Sequence, residues 1–215
     1  MKSGVTVIDY GMGNLLSVTR ALEHCGADVK MSADPDVIRT SPRVVLPGVG
    51  AFGDGMAELR RQSLDEVVRE VAALGTPLLG ICLGMQMLLD ESEEFDLTPG
   101  LGLIPGRVEP VPAKTADGHS QKIPHIGWNA LVLPSGRENW EGTILQEIKP
   151  GEAVYFVHSY MAIPSNPEHR IADSLYGGMR VTAAIRRGNI FGCQFHPEKS
   201  GEAGLAILDN FLRLT

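Results

Sequence analysis

Three times in its first half the chain passes from a short apolar, β-branched run through a bend into a pattern with helical spacing. VTVIDY (5–10) reads as a strand, and after the bend Leu15, Val18, Leu22 and Cys25 recur three and four apart, which is one face of a helix. RVVLP (43–47) is a second short, buried strand; a glycine-rich loop follows, and residues 54–74 carry an amphipathic pattern that predicts one long helix. TPLLGI (76–81) with a helix over 83–90 makes the third unit. Such alternation predicts an α/β fold with a parallel sheet covered on both faces, because each crossover lays a helix against the sheet. Beyond residue 100 the pattern changes to strand-like pieces broken by Pro and Gly. These include AVYFVHSY (153–160) and a hairpin over 181–195 turning near Gly188 and Asn189, so a mixed, antiparallel extension is expected. A closing helix carries Leu205, Leu208, Phe211 and Leu212 on one side. No long linker, repeat or low-complexity segment interrupts the 215 residues, which predicts a single domain, 1–215.

Charge narrows the partners. A formal net charge of −7 leaves no basic footprint for nucleic acid, and no Lys/Arg block marks a membrane surface. The longest apolar stretch, 76–89, contains Gln86 and falls short of the roughly 20 residues a span needs, so no membrane is expected. Three cysteines, an odd number, do not form a disulfide framework, and Asp9 interrupts what would be the apolar core of a secretory signal; a reduced, cytoplasmic protein is expected. The six histidines show no H-x-x-x-H and the cysteines no C-x-x-C, so neither a metal nor another cofactor is expected.

Chemistry concentrates at the third bend. Gly80-Ile81-Cys82-Leu83-Gly84 is a G-x-C-x-G turn between strand and helix, the thiol counterpart of a nucleophile elbow. A helix N-terminus favours the thiolate, the nucleophilic form. Cys25 and Cys193 lie on apolar faces and read as packed small hydrophobes. A thiol nucleophile needs a base, and the base an orienting acceptor. FHPEKS (195–200) supplies both: Pro197 disfavours helix at His196, so an extended segment would point His196 and Glu198 to the same side. Attack on a carbonyl also needs donors for the developing oxyanion; PGVGAFGDG (47–55) can offer backbone N–H groups at Val49 or Gly50, and Leu83 N–H a second. The same loop contains G-x-G-x-x-G, but no carboxylate ends the following strand about 20 residues on, which argues against a dinucleotide site.

GICLGMQ and FHPEKS together resemble the class I, or triad, glutamine amidotransferases. Within them DYGMGNL (9–15), LPGVGAF (46–52), IPHIGWN (123–129), YFVHSY (155–160) and QFHPEKSG (194–201) are similar to the glutaminase subunits of imidazole glycerol phosphate synthases, along essentially the whole chain. The resemblance implies a flavodoxin-like open sheet and glutamine hydrolysis through Cys82, His196 and Glu198. It also implies contacts of Gln86, Ser159 and Tyr160 with the substrate's amino-acid end. The partner it implies is a (β/α)₈ cyclase subunit that takes the ammonia in a heterodimer, with Asn14, Trp128, Tyr155 and Lys199 facing it, although Trp128 reads equally as a core residue. The two glycines around Val49 suit loop 47–50 to act as a switch that completes the oxyanion hole when the cyclase is loaded. Three alternatives stay open on the residues alone: a glutaminase serving another acceptor, an α/β cysteine hydrolase, and a non-catalytic regulatory subunit.

Overall fold

The computed structural model describes residues 3–214. In chain order, β1 (Gly4–Ile8) leads to α1 (Leu15–His24), β2 (Asp28–Ser32), α2 (Pro35–Arg39), β3 (Val44–Leu46), α3 (Phe52–Arg61), α4 (Leu64–Ala73), β4 (Leu78–Ile81) and α5 (Leu83–Met87). Two short strands, β5 (Glu91–Ser92) and β6 (Thr98–Pro99), precede β7 (Gly106–Pro110), β8 (His125–Val132), β9 (Ala153–His158) and β10 (Tyr160–Pro164). The chain closes with β11 (Arg170–Tyr176), β12 (Met179–Arg187), β13 (Ile190–Cys193) and α6 (Gly201–Leu212). A nine-stranded sheet runs in the order β2-β1-β3-β4-β13-β12-β11-β8-β9, and a four-stranded one in the order β10-β7-β5-β6.

The first five strands of the large sheet, β2 to β13, are parallel, and the rest are antiparallel. The order 2-1-3-4 with a fifth parallel strand is the flavodoxin-like winding. Alternation along the strands splits the core. Val45, Leu79 and Ile81 pack with Val18 and Leu22 of α1 and Ile207, Leu208 and Phe211 of α6. Val44, Leu46 and Leu78 face Ile38 of α2 and Phe52, Met56, Leu64 and Val68 of α3 and α4. Both faces of the parallel half are thus covered, which is why its strands read as continuous apolar runs.

Several elements differ from the sequence-based expectation. The long helix over 54–74 is two helices, α3 and α4, broken where Ser63 takes a left-handed φ of 56° and Gln62 donates to Tyr10 O and Glu58 Oε1. Apolar residues resume on the buried side after the break, so periodicity passed over it. The helix expected over 83–90 stops at Met87, with Leu88 and Leu89 in tighter turns onto Met85 O and Gln86 O. AVYFVHSY is not one strand: it divides at Ser159, β9 joining the large sheet and β10 the small one. Leu205 of α6 is only partly buried. The edge strand β2 and the short α2, N-capped by Asp34 accepting from Asp36 N at 2.9 Å, complete the parallel half. Among the described residues no helix is long and apolar enough to cross a membrane.

Candidate active site

Three neighbouring parallel strands end at one rim. β4 pairs with β3 on one side and β13 on the other, with Leu46 opposite Gly80 and Cys193 opposite Ile81. The segments that leave their C-terminal ends are loop 47–50, Cys82 with α5, and His196 with Glu198. Adjacent C-terminal strand ends are where open α/β sheets bind ligands.

Cys82 sits at φ 54°, ψ −111°, a positive φ that costs a non-glycine residue energy and here turns the chain abruptly from β4 into α5. The bend is held by a hydrogen bond from Cys82 N to Cys193 O at 2.7 Å. Its two glycines are required by contact: a Cβ on Gly84 would lie 1.9 Å from Leu46 O, and one on Gly80 would meet the Gly84 backbone at 2.7 Å. Helix α5 therefore lies directly on β3 and β4, and Leu83 N–H, in its first turn, has no intrahelical acceptor. Across from it, Gly48 has room for no side chain, since a Cβ would come 2.7 Å from Tyr10 Oη and 2.9 Å from Gly84 N. Tyr10 Oη donates to Pro47 O at 2.9 Å, and burial, with Cys82 nearby, pushes its pKa up and keeps it a donor. Gly50 has φ 104°.

His196 Nδ1 is 2.8 Å from Glu198 Oε1, with both side chains almost wholly out of water. The two residues meet otherwise than by strand alternation. His196 is extended, but Pro197–Lys199 form a 3₁₀ turn that curls Glu198 back under the ring. The turn is pinned by Ser200, whose hydroxyl donates to His196 O at 2.6 Å and accepts from Tyr155 N at 3.0 Å. Burial alone would lower the pKa of His196; hydrogen bonding to Cys82 and Glu198 outweighs it and raises the pKa to about 9. The other thiols are poorly suited to attack: burial, reinforced by Glu198, pushes Cys193 up, and burial with Asp209 does the same for Cys25.

A cleft of about 380 Å³ opens over this rim, bordered by Val49, Gly50, Cys82, Leu83, Gln86, Ser159, Tyr160, His196 and Lys199 among others. The structure thus brings together every residue expected for the nucleophile, base, oxyanion donors and substrate contacts, with Glu198 directly behind His196. Gln86 is buried, not solvent-facing: its Nε2 donates to Tyr160 O and to Gln194 Oε1, both at 3.0 Å. Of the residues expected to face a partner, Lys199 borders the cleft, while Asn14 precedes α1 without capping it through its side chain. Trp128 is 56% exposed and meets Tyr155 edge-on, which excludes the core placement.

Sequence reasoning passed over Glu94, Gln194, His158 and Ser200. Glu94 borders the cleft while its carboxylate caps Phe52 N at 2.6 Å, and Gln194 Nε2 lies 3.8 Å from Cys82 Sγ. Gln194, His158 and Ser200 lie inside stretches the sequence singles out, beside the residues it assigns, whereas Glu94 carried no such cue. A wider depression of about 770 Å³ near Arg137, Arg186 and Arg187 contains neither thiol nor imidazole of this site. Among the described residues no group of three or more His, Cys, Asp or Glu could hold a metal ion.

Residues 6–214 match the family model described as glutamine amidotransferase class-I. The chain is 53% identical over 212 residues to a Legionella pneumophila (strain Lens) protein named imidazole glycerol phosphate synthase subunit HisH 1, covering 99% of this chain and all of that one. It is 48% identical over 207 residues to the subunit HisH of Geobacillus sp. (strain WCH70), covering 96% and 95% of the two chains. Among solved structures, PurLQS from Thermotoga maritima superposes with a TM-score of 0.74 at 21% identity over 99% of this chain and 98% of that one, a likeness of fold.

Proposed function

The chain belongs to the class-I glutamine amidotransferase family, and from that premise we propose that it is the glutaminase subunit of an imidazole glycerol phosphate synthase, acting in histidine biosynthesis. The observation that carries the reading is the meeting of Cys82, His196 and the 47–50 loop at the ends of three adjacent parallel strands.

Cys82 Sγ, its proton already held by His196, attacks the side-chain amide carbon of glutamine. The carbonyl oxygen becomes an oxyanion held by Leu83 N–H and by an N–H of Val49 or Gly50; losing one such donor typically costs about 2.7–4 kcal/mol of barrier. As the intermediate collapses the C–N bond breaks, His196 returns its proton to the nitrogen, and ammonia leaves a glutamyl thioester. Water, deprotonated by His196, then attacks the thioester; glutamate departs and the thiol is restored. Glu198 fixes the imidazole's tautomer through Nδ1 and stabilises its charged form. Gln86, Ser159 and Tyr160 grip the amino-acid end, and the Glu94 carboxylate suits its ammonium group.

Ammonia released into water is protonated and lost as a nucleophile, so its production is coupled to a consumer. The partner is a (β/α)₈ cyclase subunit bound as a heterodimer at the face carrying Asn14, Trp128, Tyr155 and Lys199. There ammonia enters the imidazole ring as a phosphoribulosyl-formimino nucleotide is split into imidazole glycerol phosphate and aminoimidazole carboxamide ribonucleotide. Loop 47–50 gates the site by completing the oxyanion hole when the cyclase is loaded. Residues 1–215 act as one amidotransferase domain, in the cytoplasm, with no cofactor. A coupled assay tests this: glutamate release should be low for the isolated chain, rise with cyclase and nucleotide, and vanish in Cys82→Ala. Equal turnover alone and in the loaded complex would refute the gating, and activity persisting in Cys82→Ala would refute the mechanism.

A further inference from the structure

Behind the substrate-gripping turn runs a chain of hydrogen bonds, buried at its two imidazoles and open to solvent at Asn129, that the reaction leaves unused. Asn129 Nδ2 donates to Leu175 O at 3.0 Å, so its Oδ1 faces His125 Nε2, 2.8 Å away, and that nitrogen must be the donor. At the other end His158 Nδ1 lies 2.8 Å from Tyr160 O, a carbonyl that only accepts, so this nitrogen also must carry a proton. Each neutral imidazole has one N–H, and both are now assigned. Yet His125 Nδ1 and His158 Nε2 stand 3.0 Å apart in the interior, where two neutral rings would set lone pair against lone pair. Turning the Asn129 amide over relieves the rings only by setting its oxygen against Leu175 O, so the chain still falls one bond short of four.

We propose that His125 and His158 are a positioning pair for the Ser159–Tyr160 turn, and that their chain closes all four of its hydrogen bonds only by sharing one proton more than two neutral imidazoles hold. This rests on the glutaminase reading, because the turn is where that reading places the substrate's amino-acid end. The geometry supports a positioning role. At Ser159 the chain leaves the large sheet for the small one, and Tyr160 O is anchored there by His158 on one side and Gln86 Nε2 on the other. His125 is clamped by stacking on Phe156 and Tyr176, with ring centroids 4.9 and 4.0 Å away, so its ring does not swing out of the conflict.

The groups facing the pair decide when the extra proton stays. Tyr176 stacks from β11, Tyr160 lies on β10, and the ionisable His196 approaches from the segment after β13; Cys82, Glu94 and Lys199 border the cleft that His158 also lines. Burial first, then His125 and His196, pull His158 down to about 4, and burial lowers His125. The shared proton therefore leaves in the acid range. The first bond lost is the one whose acceptor keeps another donor, Tyr160 O with Gln86, and the turn is then held by one bond fewer.

Two measurements on the full chain, assembled with its cyclase, test this. In ¹⁵N spectra of labelled imidazoles, His125 and His158 should titrate together, in one step below the ordinary histidine range that removes a single proton from the pair. The KM for glutamine should rise about fivefold through that step, the worth of one hydrogen bond, while kcat follows a different ionisation. His125→Phe keeps the stacked ring and frees His158 to hold its proton on Nδ1, so KM should become independent of pH. A merely structural histidine would give a raised KM with the wild-type pH slope. Independent titration of the two rings, or a retained slope in His125→Phe, would overturn the proposal. Absence of glutamine turnover in the wild type would instead sink the glutaminase reading, with the single-proton step still standing or falling on the spectra.

Discussion

In the proposed reaction Cys82 and His196 share one proton, so the ionisation of one should depend on the other. Burial works against a charged His196, and hydrogen bonding to Cys82 heads the interactions that raise its pKa to about 9. The raised value makes the protonated ring a stabilising element: its contribution is complete below the unfolded value of about 6.5 and is lost as pH rises through about 9. In Cys82→Ala the main raising partner is gone, so the His196 midpoint should fall and the alkaline loss of stability should begin at lower pH. An NMR titration of His196 together with melting curves from pH 6 to 10 checks this; a midpoint unmoved by the substitution would contradict the coupling. At this scale the sequence was informative about chemistry and silent about placement. G-x-C-x-G and H-P-E suggest roles by local spacing, whereas Glu94 acts through a contact made across the fold, and no pattern near it announces that.

At the scale of elements, the elbow is a packing problem before it is a catalytic one. Gly84 allows α5 to lie on the end of β3, and a Cβ there would meet Leu46 O at 1.9 Å, a backbone atom fixed in the central sheet. Gly84→Ala should therefore destabilise the fold by about 3 kcal/mol, at the upper end of overpacking costs, and displace Cys82 from loop 47–50. Chemical denaturation measures the first effect and the alkylation rate of Cys82 the second; wild-type values for both would show that α5 has slack the contacts deny. Elements with a clear apolar pattern were readable: α1, β1, β3, β4 and the hairpin turning at Gly188–Asn189 lie where the pattern put them. What stayed hidden were features that depend on partners distant in sequence. Strand β2 is half polar because it is an edge, the α3–α4 break follows from Gln62 reaching to Tyr10 O, and Ser159 divides AVYFVHSY between two sheets.

Across the whole molecule, one winding explains why residues 49, 82 and 196 meet. Inserting β13 beside β4 carries a residue from the far end of the chain to the strand that ends at Cys82, and β3 on the other flank brings the glycine loop. The molecule holds three free thiols, but only Cys82 borders the cleft, while Cys193 is wholly buried and Cys25 lies behind α6 with its Sγ 3.4 Å from Leu205 O. The most direct test of the account is covalent capture: the cyclase-bound, nucleotide-loaded protein is treated with a diazoketone analogue of glutamine and the adduct mapped by mass spectrometry. The account predicts one adduct per chain, on Cys82, suppressed by glutamine and much slower to form in His196→Asn. Labelling of Cys25 or Cys193 instead, or labelling of Cys82 that neither glutamine nor the loss of His196 alters, would contradict it.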